Sequence, residues 1–99
     1  MIARIWHGVV PAVKSQDYLA YLNQTGIPDY RNTAGNEGVN ILHRIDGEQA
    51  HFLLITYWDS WESIKNLAGE DIQKARYYPE DESYLLEREP YVEHYEVLV

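Results

Sequence analysis

The chain has no cysteine. That excludes disulfides, cysteine-ligated zinc, iron–sulfur clusters and a thiol nucleophile together. Basic residues are few: Lys and Arg total 8 against 16 Asp and Glu, for a formal net charge of -8. Such a chain repels phosphate backbones, and a general nucleic-acid binder carries the opposite sign. Long apolar runs are missing too. The longest, Phe52 to Ile55, is far too short to span a bilayer. The N-terminus shows no basic leader ahead of an apolar stretch, so no signal peptide is expected and the chain reads as cytoplasmic. No repeat, P-loop, dinucleotide fingerprint or Ser-His-Asp arrangement is visible. Phenylalanine is nearly absent, with one residue, yet there are nine Tyr and three Trp. With 99 residues, 45% of them hydrophobic, the chain is expected to form one domain over 1–99 with its own core.

Residues 2–10, rich in Ile, Val and Trp, predict a first strand ended by Pro11. Ser15 is placed to cap a helix from 16 to about 25, which Gly26 and Pro28 stop. Residues 38–45 and 49–58 predict two strands joined at Asp46-Gly47, a strong hairpin signal. Asp59, with Glu62 three residues on, opens a helix carrying Trp61, Ile64 and Leu67 on one face, and Gly69 breaks it. A short second piece holds Ile72 and Ala75. Pro79 and the acidic residues behind it suit another helical turn. Pro90 ends that segment, and 91–98 predict the last strand. The order βαββαβ is the ferredoxin-like α+β arrangement: a four-stranded antiparallel sheet with helices on one face.

A sheet covered on one side alternates apolar with polar residues. Here both faces carry bulk: Ala3, Ile5 and Val9 on one side of strand 1, Ile2, Trp6 and Val10 on the other. The uncovered face therefore calls for a partner. A homodimer packed sheet to sheet is expected, burying roughly 800 Å² per copy.

Four histidines, His7, His43, His51 and His94, form no local metal-binding spacing. With Asp46-Gly47 as the turn, His43 and His51 fall on opposite faces and share no metal, whereas a three-residue turn would set them opposite each other. His7 points with Ile5 and Val9 toward a packed layer, as a satisfied core residue or as a catalyst. His94, between Glu93 and Tyr95, carries the same two readings. Arg4 lies beside Trp6 on the expected dimer side, either in an interface ion pair or as an anchor for a substrate carboxylate or phenolate. Tyr77 and Tyr78 either pack a loop over the core or form a lid whose hydroxyls orient a planar ligand.

The first strand Ile2-Ala3-Arg4-Ile5-Trp6, the junction Thr56-Tyr57-Trp58-Asp59-Ser60-Trp61-Glu62 and the terminal Glu93-His94-Tyr95-Glu96-Val97 resemble the antibiotic biosynthesis monooxygenase family of the dimeric α/β-barrel superfamily. The resemblance implies homodimers that hold a flat aromatic ligand between sheet and helices. In some members it implies oxidation of polycyclic phenols by oxygen without metal or flavin. On that reading His7 is the general base and Tyr77 and Arg4 hold the oxyanion. Trp58 lines the pocket, and Tyr78 and His94 contact substrate. A haem-degrading branch uses an Asn in the first strand, a Trp after strand 3 and an iron-binding His. Gapless counting from Trp58 places Leu67 and Tyr77 at the last two positions, with His7 near the first. None of the three is kept. No cofactor is therefore expected and haem is disfavoured, although Tyr can bind haem iron. The second reading is a non-enzymatic dimer that binds a small molecule, haem included, or another partner.

Overall fold

A computed structural model describes residues 1–99. The elements are β1 (Ile2–Pro11), α1 (Ser15–Gln24), α2 (Gly26–Asn32), β2 (Asn36–Asp46), β3 (Gln49–Trp58), α3 (Trp61–Ala68), α4 (Asp81–Tyr84) and β4 (Glu93–Glu96), with a single 3₁₀ turn at Ala12–Lys14. The four strands form one antiparallel sheet in the order β2-β3-β1-β4, with the helices on one face. This is the expected ferredoxin-like arrangement. No helix is long and apolar enough to cross a membrane.

Local chemistry explains most boundaries. Ser60 caps α3 by accepting a hydrogen bond from the Ser63 N–H at 3.2 Å, so the cap lies one residue beyond Asp59. Pro28 does not stop a helix. It lies in the first turn of α2, where its missing N–H costs nothing, and α2 was not expected from the sequence. The segment holding Ile72 and Ala75 is turn and loop, not helix. The last strand is shorter than 91–98, because residues before Glu93 leave the ladder and touch β1 again only at Val9–Glu87.

The β2–β3 hairpin turns one residue later than expected. Asp46 pairs with Gln49, leaving Gly47-Glu48 as the turn, and Gly47 supplies the positive φ of 60° that a II′ turn needs first. His43 consequently lies opposite Phe52, and Arg44 opposite His51. His43 and His51 still occupy opposite faces.

The assignment of faces in β1 is reversed from the expectation. Ile2, Arg4, Trp6 and Val10 face the helices, joined by Phe52, Leu54 and Trp58 of β3 in one buried cluster with Tyr18, Ile64 and Val92. Ile5, His7 and Val9 face outward. The reason is volume: the two Trp rings and Phe52 need the deep layer beneath α1 and α3. Trp6 lies over the backbone of Gly8, and a Cβ there would run into its ring. Arg4 is therefore a core residue and His7 an outer-face residue.

Candidate functional site

Three places gather chemistry. The first is the interior. Arg4 is 5% exposed, and its guanidinium donates to the backbone carbonyls of Ile72 and Lys74, the latter at 2.9 Å. It also lies 3.3 Å from His94 Nε2, which accepts from it. These contacts tie the loop after α3 onto the sheet and leave Arg4 no free edge toward a substrate. Burial, and secondarily the Arg4 charge, hold the His94 imidazole below its ordinary pKa. His94 packs against Trp61, with ring centroids 5.4 Å apart.

Trp58 is fully buried, with its indole N–H donating to Thr56 Oγ1 at 2.8 Å, so it fills the core instead of lining an open slot. The Tyr77 hydroxyl donates to the Glu89 carbonyl, and its ring meets the Trp6 edge at 6.2 Å. The Tyr78 hydroxyl donates to Asp29, which also pairs with Arg76 at 3.2 Å. The same segment is pinned by Asp81, whose buried carboxylate accepts from the Tyr18 hydroxyl at 2.9 Å and the Tyr78 N–H at 2.6 Å. Burial raises the pKa of Asp81 against those hydrogen bonds. Tyr77 and Tyr78 thus clamp residues 76–90 onto the core. The indole N–H of Trp6 is the one buried side-chain polar atom without a partner, and the larger hollows lie elsewhere.

The second place is a cleft of about 570 Å³ on the helix side, between α1 and the edge strand β2. Leu19, Ala20, Ile41, Ile45 and Phe52 give it apolar walls, and Ser15, Gln16 and Asn23 give it a polar rim. His43 enters it from β2 with its ring 5.2 Å from that of Phe52.

The third place is the outer face of the sheet. His7 Nδ1 pairs with the Glu89 carboxylate, and His7 Nε2 lies 3.0 Å from His51 Nδ1. Register explains the meeting: His7 sits opposite Leu53 and Val9 opposite His51, so the two imidazoles are diagonal neighbours on one face. Glu89 arrives on the loop between α4 and β4. His7 and Tyr77 are thus not partners in one pocket, since the sheet separates their side chains and only Glu89 connects them. The sequence reading missed His51 and Glu89 as site residues. His51 was reachable from the register, whereas no local signal marks Glu89. No group of three His, Asp or Glu is arranged to hold a metal ion.

No family model matches the chain, and no curated protein does. Solved structures do. The structure of the heme-degrader MhuD from Mycobacterium tuberculosis, with two hemes bound in its active site, superposes with a TM-score of 0.66 at 19% identity, covering 100% of this chain and 97% of that one. A crystal structure of a point mutant of MhuD, with two manganese protoporphyrin IX bound per active site, gives 0.64 at 20% identity, covering 100% and 96%. This corrects the expectation of no cofactor with haem disfavoured, since both neighbours carry metalloporphyrin in the active site. The chain has the fold of these MhuD structures, a ferredoxin-like four-stranded antiparallel sheet with helices on one face.

Proposed function

We propose that the chain binds a haem-class metalloporphyrin in the cleft between α1 and β2, with His43 as the ligand to the metal. The observation that carries this is His43 itself. It is the one imidazole on the helix side that borders a large hollow, and the walls of that hollow are apolar. Imidazole is a common axial ligand of haem iron. Leu19, Ile41, Ile45 and Phe52 offer the macrocycle a dry surface, while Ser15, Gln16 and Asn23 offer hydrogen bonds to its carboxylates. The packed interior fits such a group poorly, because Trp6, Trp58 and Tyr77 fill it.

A bound haem supplies an iron centre for oxygen and electron chemistry. The chain's own part is to seat the ring, set its orientation through His43 and exclude water from the buried edge. Oxidation of a phenolic substrate by His7 and Tyr77 acting together gains no support from their positions on opposite sides of the sheet.

Titration with hemin tests the reading. A shifted Soret band at micromolar hemin is expected, lost in His43→Ala and kept in His51→Ala. No shift, or the same shift in His43→Ala, contradicts it.

A homodimer through the outer face belongs to the same proposal. Leu42, Leu53, Tyr91 and Tyr95 stand 37–62% exposed there, more apolar surface than a lone sheet face needs. Sedimentation velocity is expected to give twice the chain mass, and a monomer at micromolar concentration contradicts this part.

A further inference from the structure

The chain holds nine Tyr and three Trp against one Phe, and several of these rings meet in the interior. Tyr18 is 1% exposed and stands behind the wall of the α1–β2 cleft. Its ring lies edge to face with Phe52, which lines that cleft, at 5.3 Å between centroids. Its other ring neighbours are Trp6 at 6.5 Å, Tyr21 at 6.2 Å and Tyr84 at 5.2 Å. Tyr84 is partly exposed, so Tyr18 joins the back of the cleft to the surface.

A phenol or indole gives up an electron far more readily when a base can take its proton. The hydrogen bonds single out one ring. The Trp6 N–H has no partner, and the Trp58 N–H faces only a hydroxyl. The Tyr77 hydroxyl faces a backbone carbonyl. Neither acceptor is a useful base. The Tyr18 hydroxyl instead donates to the Asp81 carboxylate at 2.9 Å. Asp81 is 3% exposed, and burial raises its pKa, which makes the carboxylate a stronger base. Tyr78 and Tyr95 also face carboxylates, but their rings stand outside this aromatic cluster. A Phe in place of Tyr18 would fill the same space and spare the chain a buried polar pair.

We propose that Tyr18 is a redox-active residue that passes an electron to an oxidant in the α1–β2 cleft and its proton to Asp81. A small phenolic reductant replaces the electron at the surface, through Tyr84. The proposal rests on the haem reading for its natural oxidant, a bound porphyrin oxidised by peroxide, with the peroxide reduced to water. In the first step an electron leaves Tyr18 for that oxidant. The Tyr18 O–H bond breaks, and an O–H bond forms on Asp81 Oδ1. In the second step Tyr84 gives an electron to the Tyr18 radical and its proton to water, while Tyr18 takes its own proton back from Asp81. In the third, the Tyr84 radical takes a hydrogen atom from the reductant. Two such turns consume one peroxide and oxidise two reductant molecules by one electron each.

The absence of cysteine allows a ruthenium photo-oxidant to be tethered at one place, through Gln16→Cys on the cleft rim. After a flash with an external electron acceptor, a tyrosyl signal is expected in electron paramagnetic resonance. Adding Tyr18→Phe is expected to remove it. Asp81→Asn keeps an acceptor oxygen but not the base, and is expected to slow radical formation about tenfold or more. With Tyr18 and Asp81 both in place, formation is expected to slow in deuterium oxide, which a merely structural bond would not cause. That comparison stands even where a variant fails to fold, as a circular-dichroism melt reports. Hydroquinone is expected to shorten the life of the radical, and to do so much less in Tyr84→Phe. No tyrosyl signal, an undiminished signal in Tyr18→Phe, or a rate indifferent to deuterium oxide overturns the proposal. An equal effect of hydroquinone in Tyr84→Phe overturns the exit through Tyr84. Hemin with hydrogen peroxide separates this proposal from the haem reading. A Soret shift without a tyrosyl signal overturns the relay and leaves haem binding standing. A flash-induced Tyr18 signal without a Soret shift on hemin addition supports the relay and overturns haem binding.

Discussion

The hydroxyl of Tyr18 donates to the carboxylate of Asp81 across a sequence separation of 63 residues, at 2.9 Å, inside the layer between α1 and the sheet. That bond, with the Tyr78 N–H on the other carboxylate oxygen, fastens the long connection between α3 and β4 to the core. Much of the site geometry depends on this connection, because it delivers Glu89 to His7 and Tyr77 to Trp6.

Asp81 makes the first prediction. Its pKa is raised in the folded state, mainly by burial. The native state thus holds this proton to higher pH than the unfolded chain does. The stabilisation is complete below the ordinary carboxylate range and is lost as pH rises through the raised value. Urea denaturation from mildly acid to neutral pH is expected to show this decline. In Asp81→Asn the decline disappears, at a cost of about 1–2 kcal/mol in acid for a donor left without an acceptor. A wild-type profile as flat as the variant's contradicts the assignment.

His94 behaves in the opposite sense. Its folded pKa is lowered, by burial first and by Arg4 second. Its contribution to stability is present above the unfolded value and is lost as pH falls toward the folded one. Imidazole NMR is expected to show His94 titrating below a free histidine. A midpoint at or above the free value contradicts the burial beside Arg4.

Arg4 is a structural clamp on this account. Arg4→Met leaves the carbonyls of Ile72 and Lys74 without their donor and is expected to cost about 3 kcal/mol in chemical denaturation. Hemin binding in the protein that remains folded is expected to be unchanged. Loss of binding with stability intact would make Arg4 a ligand anchor instead.

Gly8 carries a packing prediction. Gly8→Ala places a methyl group where the Trp6 ring lies, forcing the indole off its seat. Overpacking of this kind costs about 1–3 kcal/mol. A melting temperature lowered by several degrees is expected, with red-shifted tryptophan emission. An unchanged melt shows that the ring has room to move.

Much of the fold was legible in the sequence, since strand and helix periodicity, the hairpin glycine and the Gly69 stop lie within single elements. The errors arose where two signals competed. Gly26 and Pro28 read as a stop, yet proline is also at home in a first helical turn, and there it begins α2. Both rows of β1 are apolar, so alternation could not tell which row lies under the helices; the bulk of Trp6 against Phe52 and Trp58 decided it. That reversal moved Arg4 inward and His7 outward. His43 became interesting only once α1 was known to lie along the edge strand. Glu89 reaches His7 by the path of a loop, which no local pattern encodes.

The central claim is that a metalloporphyrin sits between α1 and β2. Paramagnetic NMR tests it most directly, comparing backbone amide signals of the protein loaded with ferric protoporphyrin and with its diamagnetic gallium analogue. Broadening is expected to centre on residues 15–23 and 41–45 and to be weakest at Tyr77 and along β4. Broadening centred on Trp6 and Tyr77 would place the ring in the interior and contradict the account, as would no broadening at all.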